Sequence, residues 1–188
     1  MGFQTACAIL QLIRTPEQFP EADTFRVEGA DEAIDFEVRD AQGQPLLLAQ
    51  AKTRIEPGSW SGPELVRLTR RWGEADLGGT AVLRFLSDGP VHTSGQAVRD
   101  AAARARTEPD TDRWLTACAS LRTSITLTAE DHLLLRRLEI ETRIGPWDQI
   151  LDQARLELLR LSPIAMAAAE VDSTVEDCCR PARGRMCW

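Results

Sequence analysis

The sequence has no stretch approaching the about 20 consecutive apolar residues that a membrane-spanning helix needs, so a bilayer span is not expected. Met1–Arg14 carries no basic leader and no small-residue cleavage site after its apolar stretch, which argues against secretion and for a cytoplasmic protein. A glycine-rich Walker loop is missing, so the chain brings no NTPase of its own. Paired cysteine spacings are missing too. Cys7 and Cys118 are scattered, Cys178, Cys179 and Cys187 crowd the C-terminal end, and His92 and His132 lie far from that trio. A four-ligand zinc site lacks its fourth ligand, so the cysteines read as incidental thiols. Around His132 no serine or cysteine sits in a nucleophile-elbow context, which excludes a triad. Excess positive charge is also absent. A net charge of −7 and a pI near 5.0 argue against strong unaided nucleic-acid binding, because release of phosphate counterions drives much of that affinity. A nuclease is not excluded: such sites gather carboxylates for metal ions, and another domain or subunit can supply the grip.

What is present suits one good core: 188 residues, 43% hydrophobic and 27% charged. The most informative region runs from Phe25 to Arg54. A short strand is expected near 24–27. AIDFEVR (33–39) alternates, DAQGQP (40–45) is turn-forming, and LLLAQAKT (46–53) is mostly apolar, a pattern that predicts a β-hairpin. Symmetric pairing about the loop sets Arg39 opposite Leu46 and Asp35 opposite Gln50. Period-two geometry then collects Ile34, Phe36, Val38, Leu47, Ala49 and Ala51 on one apolar face, with Asp35, Glu37, Gln50 and Lys52 on the other.

Around the hairpin the pattern is helical. TACAILQLIR (5–14) predicts a first helix that Pro16 and Pro20 end. Ser61 and Glu64 have capping-box spacing ahead of a helix over 63–76, with Leu65, Leu68 and Trp72 inward and Arg67, Arg70 and Arg71 on its charged face. Residues 80–87 read as a core strand, 94–106 and 111–121 as helices, and 125–127 as a possible short strand. Thr128 and Asp131 mark a helix start, 138–142 another strand. Gly145-Pro146 opens an amphipathic helix to about Leu161, packing through Trp147, Ile150, Leu151, Ala154, Leu158 and Leu161. No periodicity is sustained after Ser162. The expected organisation is one α/β domain over 1–161, a central mixed sheet flanked by helices, and a poorly ordered tail or connector over 162–188.

Phosphodiester hydrolysis needs oxygen ligands for Mg²⁺, a positioned water and positive charge near the phosphate. Asp35 offers a carboxylate, Gln50 an amide oxygen and Ala51 a main-chain carbonyl. Lys52 projects from the same face, suited to orient water and stabilise charge. Glu28 or Asp31 is available to complete the shell, whereas Asp31 and Glu37 taken alone read as exposed acids. The arginines at 67, 70 and 71 read as a solvated face more readily than as phosphate contacts.

The run VEGADEAIDFEVRDAQGQPLLLAQAKTR (27–54) resembles the core of PD-(D/E)xK, restriction-endonuclease-like nucleases whose final acid is replaced by glutamine, as in Mrr-like restriction enzymes. It is more similar still to the double-stranded DNA endonuclease domains of bacterial anti-phage systems, commonly fused to a ligand sensor or a NACHT-like NTPase. The Gly2-Phe3 helix and the LLRRLEIET…WDQILDQARLELL stretch extend the likeness over 1–161, although only 27–54 holds discriminating motifs. The family's literal Pro-Asp pair is absent. The resemblance implies that Asp35 and Gln50 are metal ligands, Lys52 the catalytic lysine and Glu28 the upstream acid. It further implies Mg²⁺ or Mn²⁺ as cofactor, double-stranded DNA as substrate, a sensor or NTPase acting in trans, and a homo-oligomer. The reading from another class is a catalytically silent module used for docking or oligomerisation.

Overall fold

The centre of the fold is the strand β3, Pro45–Lys52, six of whose eight residues are buried. The computed structural model describes residues 2–28, 33–53, 58–75, 79–121, 126–161 and the backbone of 186–187. β3 pairs antiparallel with β2 (Phe36–Asp40) and parallel with β4 (Val82–Ser87). β2 continues antiparallel to β1 (Ala22–Val27), and β4 parallel to β5 (Leu138–Thr142). With the two-residue β6 (Met186–Cys187) on the outer side of β1, the mixed sheet runs β5-β4-β3-β2-β1-β6. β6 falls inside the segment expected to be a tail; the rest of 162–188 lies outside the described residues.

The expected hairpin register holds for Phe36↔Ala49, Glu37↔Leu48 and Val38↔Leu47, then shifts so that Arg39 meets Pro45 rather than Leu46. Phe36, Val38, Leu47, Ala49 and Ala51 pack into one core layer against α1 (Phe3–Gln18) and α6 (Trp147–Leu161). A one-residue slip would turn that set to the other face, at roughly 1.5–3 kcal/mol for each large side chain exposed. Ile34 departs from the expected face. It precedes the first ladder pair and joins the second core layer, built with α2 (Gly62–Ala75), α3 (Thr93–Thr107), α4 (Thr111–Cys118) and α5 (Ala129–Arg136). Helices therefore cover both faces of the sheet, and the face carrying Leu48 and Gln50 is not an open polar one.

Further corrections are local. Pro16 does not end α1, which continues to Gln18; the Thr15 hydroxyl donates to the Gln11 carbonyl at 2.8 Å inside that last stretch. The second helix is capped as expected, the Ser61 N–H and hydroxyl both donating to Glu64 Oε2 at 2.8 and 2.7 Å. At α5 the capping box of Thr128 and Asp131 is complete. Ile125 of the possible short strand lies outside the described residues, and Thr126 and Leu127 are not in a strand. On α6, Ile150, Leu151 and Ala154 are buried and Leu158 packs beside them, but Trp147 and Leu161, at the two ends of the helix, are 44% and 57% exposed. No helix among the described residues is long and apolar enough to cross a membrane.

Candidate active site

The approach to Asp35 is fixed before the hairpin begins. The Trp72 indole, fully buried on α2, donates to the Ala33 carbonyl at 2.7 Å, and Ile34 is pinned in the core. The Asp35 N–H then donates to the Ala49 carbonyl (2.9 Å) and its own carbonyl accepts from the Glu28 N–H (2.7 Å). The Glu28–Asp35 bond extends the β1–β2 register of Arg26↔Glu37 and Val27↔Phe36 by one residue, whereas the Asp35–Ala49 bond is one residue out of step with the β2–β3 register, in which Ala49 already faces Phe36. Glu28 and Asp35 thereby face each other at the open end of the hairpin, but the expected pairing of Asp35 with Gln50 is not formed: Asp35 bonds to Ala49 and Ala51, on either side of Gln50. Lys52 stands one turn of the pleat beyond Gln50 on the same strand face.

Asp35 Oδ2 accepts from the Ala51 N–H at 2.7 Å and Oδ1 from Gln4 Nε2, on α1, at 3.2 Å. Burial pushes the Asp35 carboxyl above its ordinary range; the Ala51 amide, the Lys52 charge and the Gln4 amide oppose that push without cancelling it. The fold thus leaves this carboxylate short of compensating positive charge. Glu28 adds a backbone outlier: its φ of 62° lies in the left-handed region without being glycine. Such a residue costs about 1–3 kcal/mol and collects at functional sites. Its side chain is exposed.

Lys52 is held from behind. Its carbonyl accepts from the Ser87 hydroxyl at 2.8 Å; that hydroxyl in turn accepts from the Trp60 indole (2.7 Å) and the Gly89 N–H (3.0 Å). Ser87 is fully buried and its donor and both acceptor positions are used. Lys52 is also the only lysine; every other one of the 22 basic residues is arginine. Cys7 lies beneath the site, its thiol pushed up to about 12 by burial and then by the charges of Glu141, Asp35 and Asp88, which makes it inert as a nucleophile at neutral pH.

The donor set fits a hard divalent cation held weakly. Mg²⁺ is commonly bound through one or two carboxylates, with waters completing its shell. Asp35 supplies one carboxylate, each oxygen keeping a lone pair beyond the bond it accepts, and Gln50 and the Ala51 carbonyl are neutral oxygen donors. Among the described residues no three Asp, Glu, His or Cys side chains converge into a site of their own.

Of the expected residues, Gln50, Ala51 and Lys52 lie on β3, while Glu28 and Asp35 lie just beyond the ends of β1 and β2. Asp31 lies outside the described residues. Glu37 is not an exposed acid: it is fully buried, with Arg39 at 2.8 Å and Arg26 at 3.6 Å paying its charge. Arg70 is not simply solvated, since it forms a two-pronged bond to the buried Asp131, both contacts at 2.8 Å. Gln4 and Ser87 went unnoticed in the sequence. A polar residue at the second position of an amphipathic helix, and a serine closing a strand, carry no local signal of their partners 31 and 35 residues away.

No protein-family model and no curated protein matches the chain. Among solved structures, the Acinetobacter baumannii Cap4 SAVED/CARF-domain containing receptor matches with a TM-score of 0.72 at 16% identity, over 99% of this chain and 43% of the receptor. The same receptor with the cyclic trinucleotide 3'3'3'-cAAA gives 0.71 at 16% identity, over 100% and 45%. The Moraxella osloensis Cap4 SAVED/CARF-domain containing receptor gives 0.67 at 14% identity, over 98% and 44%. The chain therefore spans less than half the length of these receptors, and what it shares with them is the fold.

Proposed function

We propose that the chain is a metal-dependent endonuclease that hydrolyses DNA phosphodiester bonds with little sequence specificity, as an effector in anti-phage defence. The observation that carries this reading is Asp35: a partly buried, under-compensated carboxylate tied to the Ala51 amide and within the field of the Lys52 charge. Asp35 and Gln50, with the Ala51 carbonyl and Glu28 in support, hold the cation. Bound there, Mg²⁺ or Mn²⁺ supplies Lewis-acid polarisation of a phosphoryl oxygen and a lowered pKa for water. The Lys52 ammonium orients the attacking water and stabilises the charge that develops on the phosphate. Its aim is set by the Ser87 hydroxyl through the main chain. The resemblance of residues 27–54 to anti-phage nuclease domains supports the setting, as does the fold shared with receptors described as containing a SAVED/CARF domain. A sensor or NTPase partner in trans, or in a longer chain, belongs to the same proposal.

The test is cleavage of plasmid and linear duplex with Mg²⁺ or Mn²⁺ by the native chain and by Lys52→Ala at equal folded concentration. Metal-dependent cutting lost in the variant is expected; cutting that survives contradicts the assignment. A second reading takes its support from the matched receptor solved with 3'3'3'-cAAA: this fold unit would itself bind a cyclic trinucleotide. Calorimetric titration with 3'3'3'-cAAA separates the two, since binding is expected only under the second.

A further inference from the structure

Where β4 and β5 begin, at the end of the sheet away from Lys52, lies a cleft of about 480 Å³. Arg106 from the last turn of α3, Arg136 from the last turn of α5 and Arg137 just after it all line this cleft. Arg106 donates to the Leu138 carbonyl at 2.8 Å, and Arg137 to the Ala81 and Leu133 carbonyls at 3.1 and 3.4 Å. A carbonyl fixes a guanidinium without neutralising it. Arg137 has further contacts, but Arg106 has no other bond, and Arg136 makes no hydrogen bond or ion pair among the described residues. The acid that lines the cleft, Glu139, is already bonded to Arg84, at 2.8 and 2.7 Å. Arg106 and Arg136 therefore face the cleft with no carboxylate of its lining to answer them.

A single arginine in the last turn of a helix is accounted for by the negative end of the helix dipole. Two helix ends that turn their arginines into one concavity make a different arrangement. The planar fork of arginine matches phosphate oxygens through paired N–H donors. Of its five N–H donors Arg106 spends one on Leu138, and Arg136 spends none. The volume falls within the roughly 300–1,000 Å³ of small-ligand sites, and Leu133, 64% exposed, adds an apolar wall. Val82, which also lines the cleft, opens β4, and Ser87 closes it beside Lys52. At about 3.3 Å per residue the cleft is thus roughly 16 Å from the candidate metal centre, which suits a separate small ligand rather than the scissile strand.

We infer that this cleft binds a small ligand carrying two or more linked phosphates, with Arg106 and Arg136 gripping the phosphate oxygens and Leu133 beside whatever the phosphates are attached to. Two unanswered guanidinium groups call for more than one phosphate. No Walker loop accompanies them, so the inference concerns binding and not hydrolysis. It stands apart from the nuclease reading, because none of its residues belongs to the site around Asp35.

The experiment is calorimetric titration of the full chain with pyrophosphate and with ATP, at about 0.15 M salt so that distant charges are screened. Both probes are expected to bind. Arg136→Gln, which removes no bond within the protein, is expected to weaken binding at least about tenfold, the loss of one charge-assisted hydrogen bond. Arg106→Gln is expected to do the same; if it unfolds the chain, Arg136→Gln decides alone. Arg67→Gln, the same change of charge at an exposed position of α2, is expected to leave binding unaltered. Tighter binding of ATP than of pyrophosphate assigns the site to nucleoside polyphosphates, and equal or weaker binding assigns it to the phosphate chain alone. No binding of either probe at millimolar concentration, binding untouched by Arg136→Gln, or equal weakening by Arg67→Gln overturns the site. So does a labelled DNA duplex held through Arg136 when neither small probe binds.

Discussion

Two aspartates show what the fold completes and what it leaves open. Asp131, at the junction of α2 and α5, is buried, and burial alone would raise its pKa. The two bonds from Arg70 and those from the Thr128 amide and hydroxyl outweigh that, and the carboxyl sits below its ordinary range. Asp35, at the open end of the hairpin, receives one main-chain N–H and one side-chain amide, and burial wins. The first acid is finished by protein partners and acts as structure. The second is missing positive charge, the condition expected of a group that works with a cation.

Substitutions at the two sites should therefore behave in opposite ways. The largest effect is expected at Asp35. Asp35→Asn should lower metal-dependent cutting at least about 100-fold in a plasmid assay while melting at the same or a higher temperature. The amide still accepts from the Ala51 N–H, and no charge remains to be desolvated. A lower melting temperature would mean that the carboxylate is structural, like Asp131. Next, Arg70→Ala should cost about 1–3 kcal/mol by denaturant unfolding, because a buried carboxylate loses its partner. The cutting rate should not change.

The pH dependence sharpens the contrast. Asp131 has a lowered folded pKa, so its contribution is present above the ordinary carboxylate range and is lost as the pH falls through the lowered value. Asp35 has a raised folded pKa, so its contribution is present at acid pH and is lost as the pH rises from the ordinary value through the raised one. Melting curves of the native chain and Asp35→Asn should thus converge at acid pH and separate toward neutrality, the variant being the more stable. Removing Arg70 should instead flatten the acid-side loss. The smallest effect is expected at Leu161, more than half exposed: Leu161→Ser should stay within about 0.5 kcal/mol of the native chain.

The hairpin was legible because period-two hydrophobicity and a turn-rich loop allow only one register that buries Phe36, Val38 and Leu47 together. Extended one residue further, that register sets Asp35 opposite Gln50, whereas the Asp35 N–H goes to the Ala49 carbonyl, one residue out of step, which no local pattern signals. Less was visible where the deciding partner is remote. Glu37 reads as a solvent-facing acid until β1 brings Arg26 beside it. Arg70 reads as one of three surface arginines, and its partner lies 61 residues on. Ile34 looks like the start of a strand face, but it precedes the first paired residue and answers to α2 instead. Gln4 reached the site only through the packing of α1 against the sheet.

The most direct test of a shared Asp35–Lys52 metal centre uses the lone lysine. Reductive ¹³C-methylation labels the Lys52 side chain as a single resonance besides the N-terminal amine. Titrating Mn²⁺ should broaden the Lys52 signal at low metal in the native chain and leave it sharp in Asp35→Asn. Equal broadening in both proteins, or none in the native chain, would contradict a metal held by Asp35 beside Lys52.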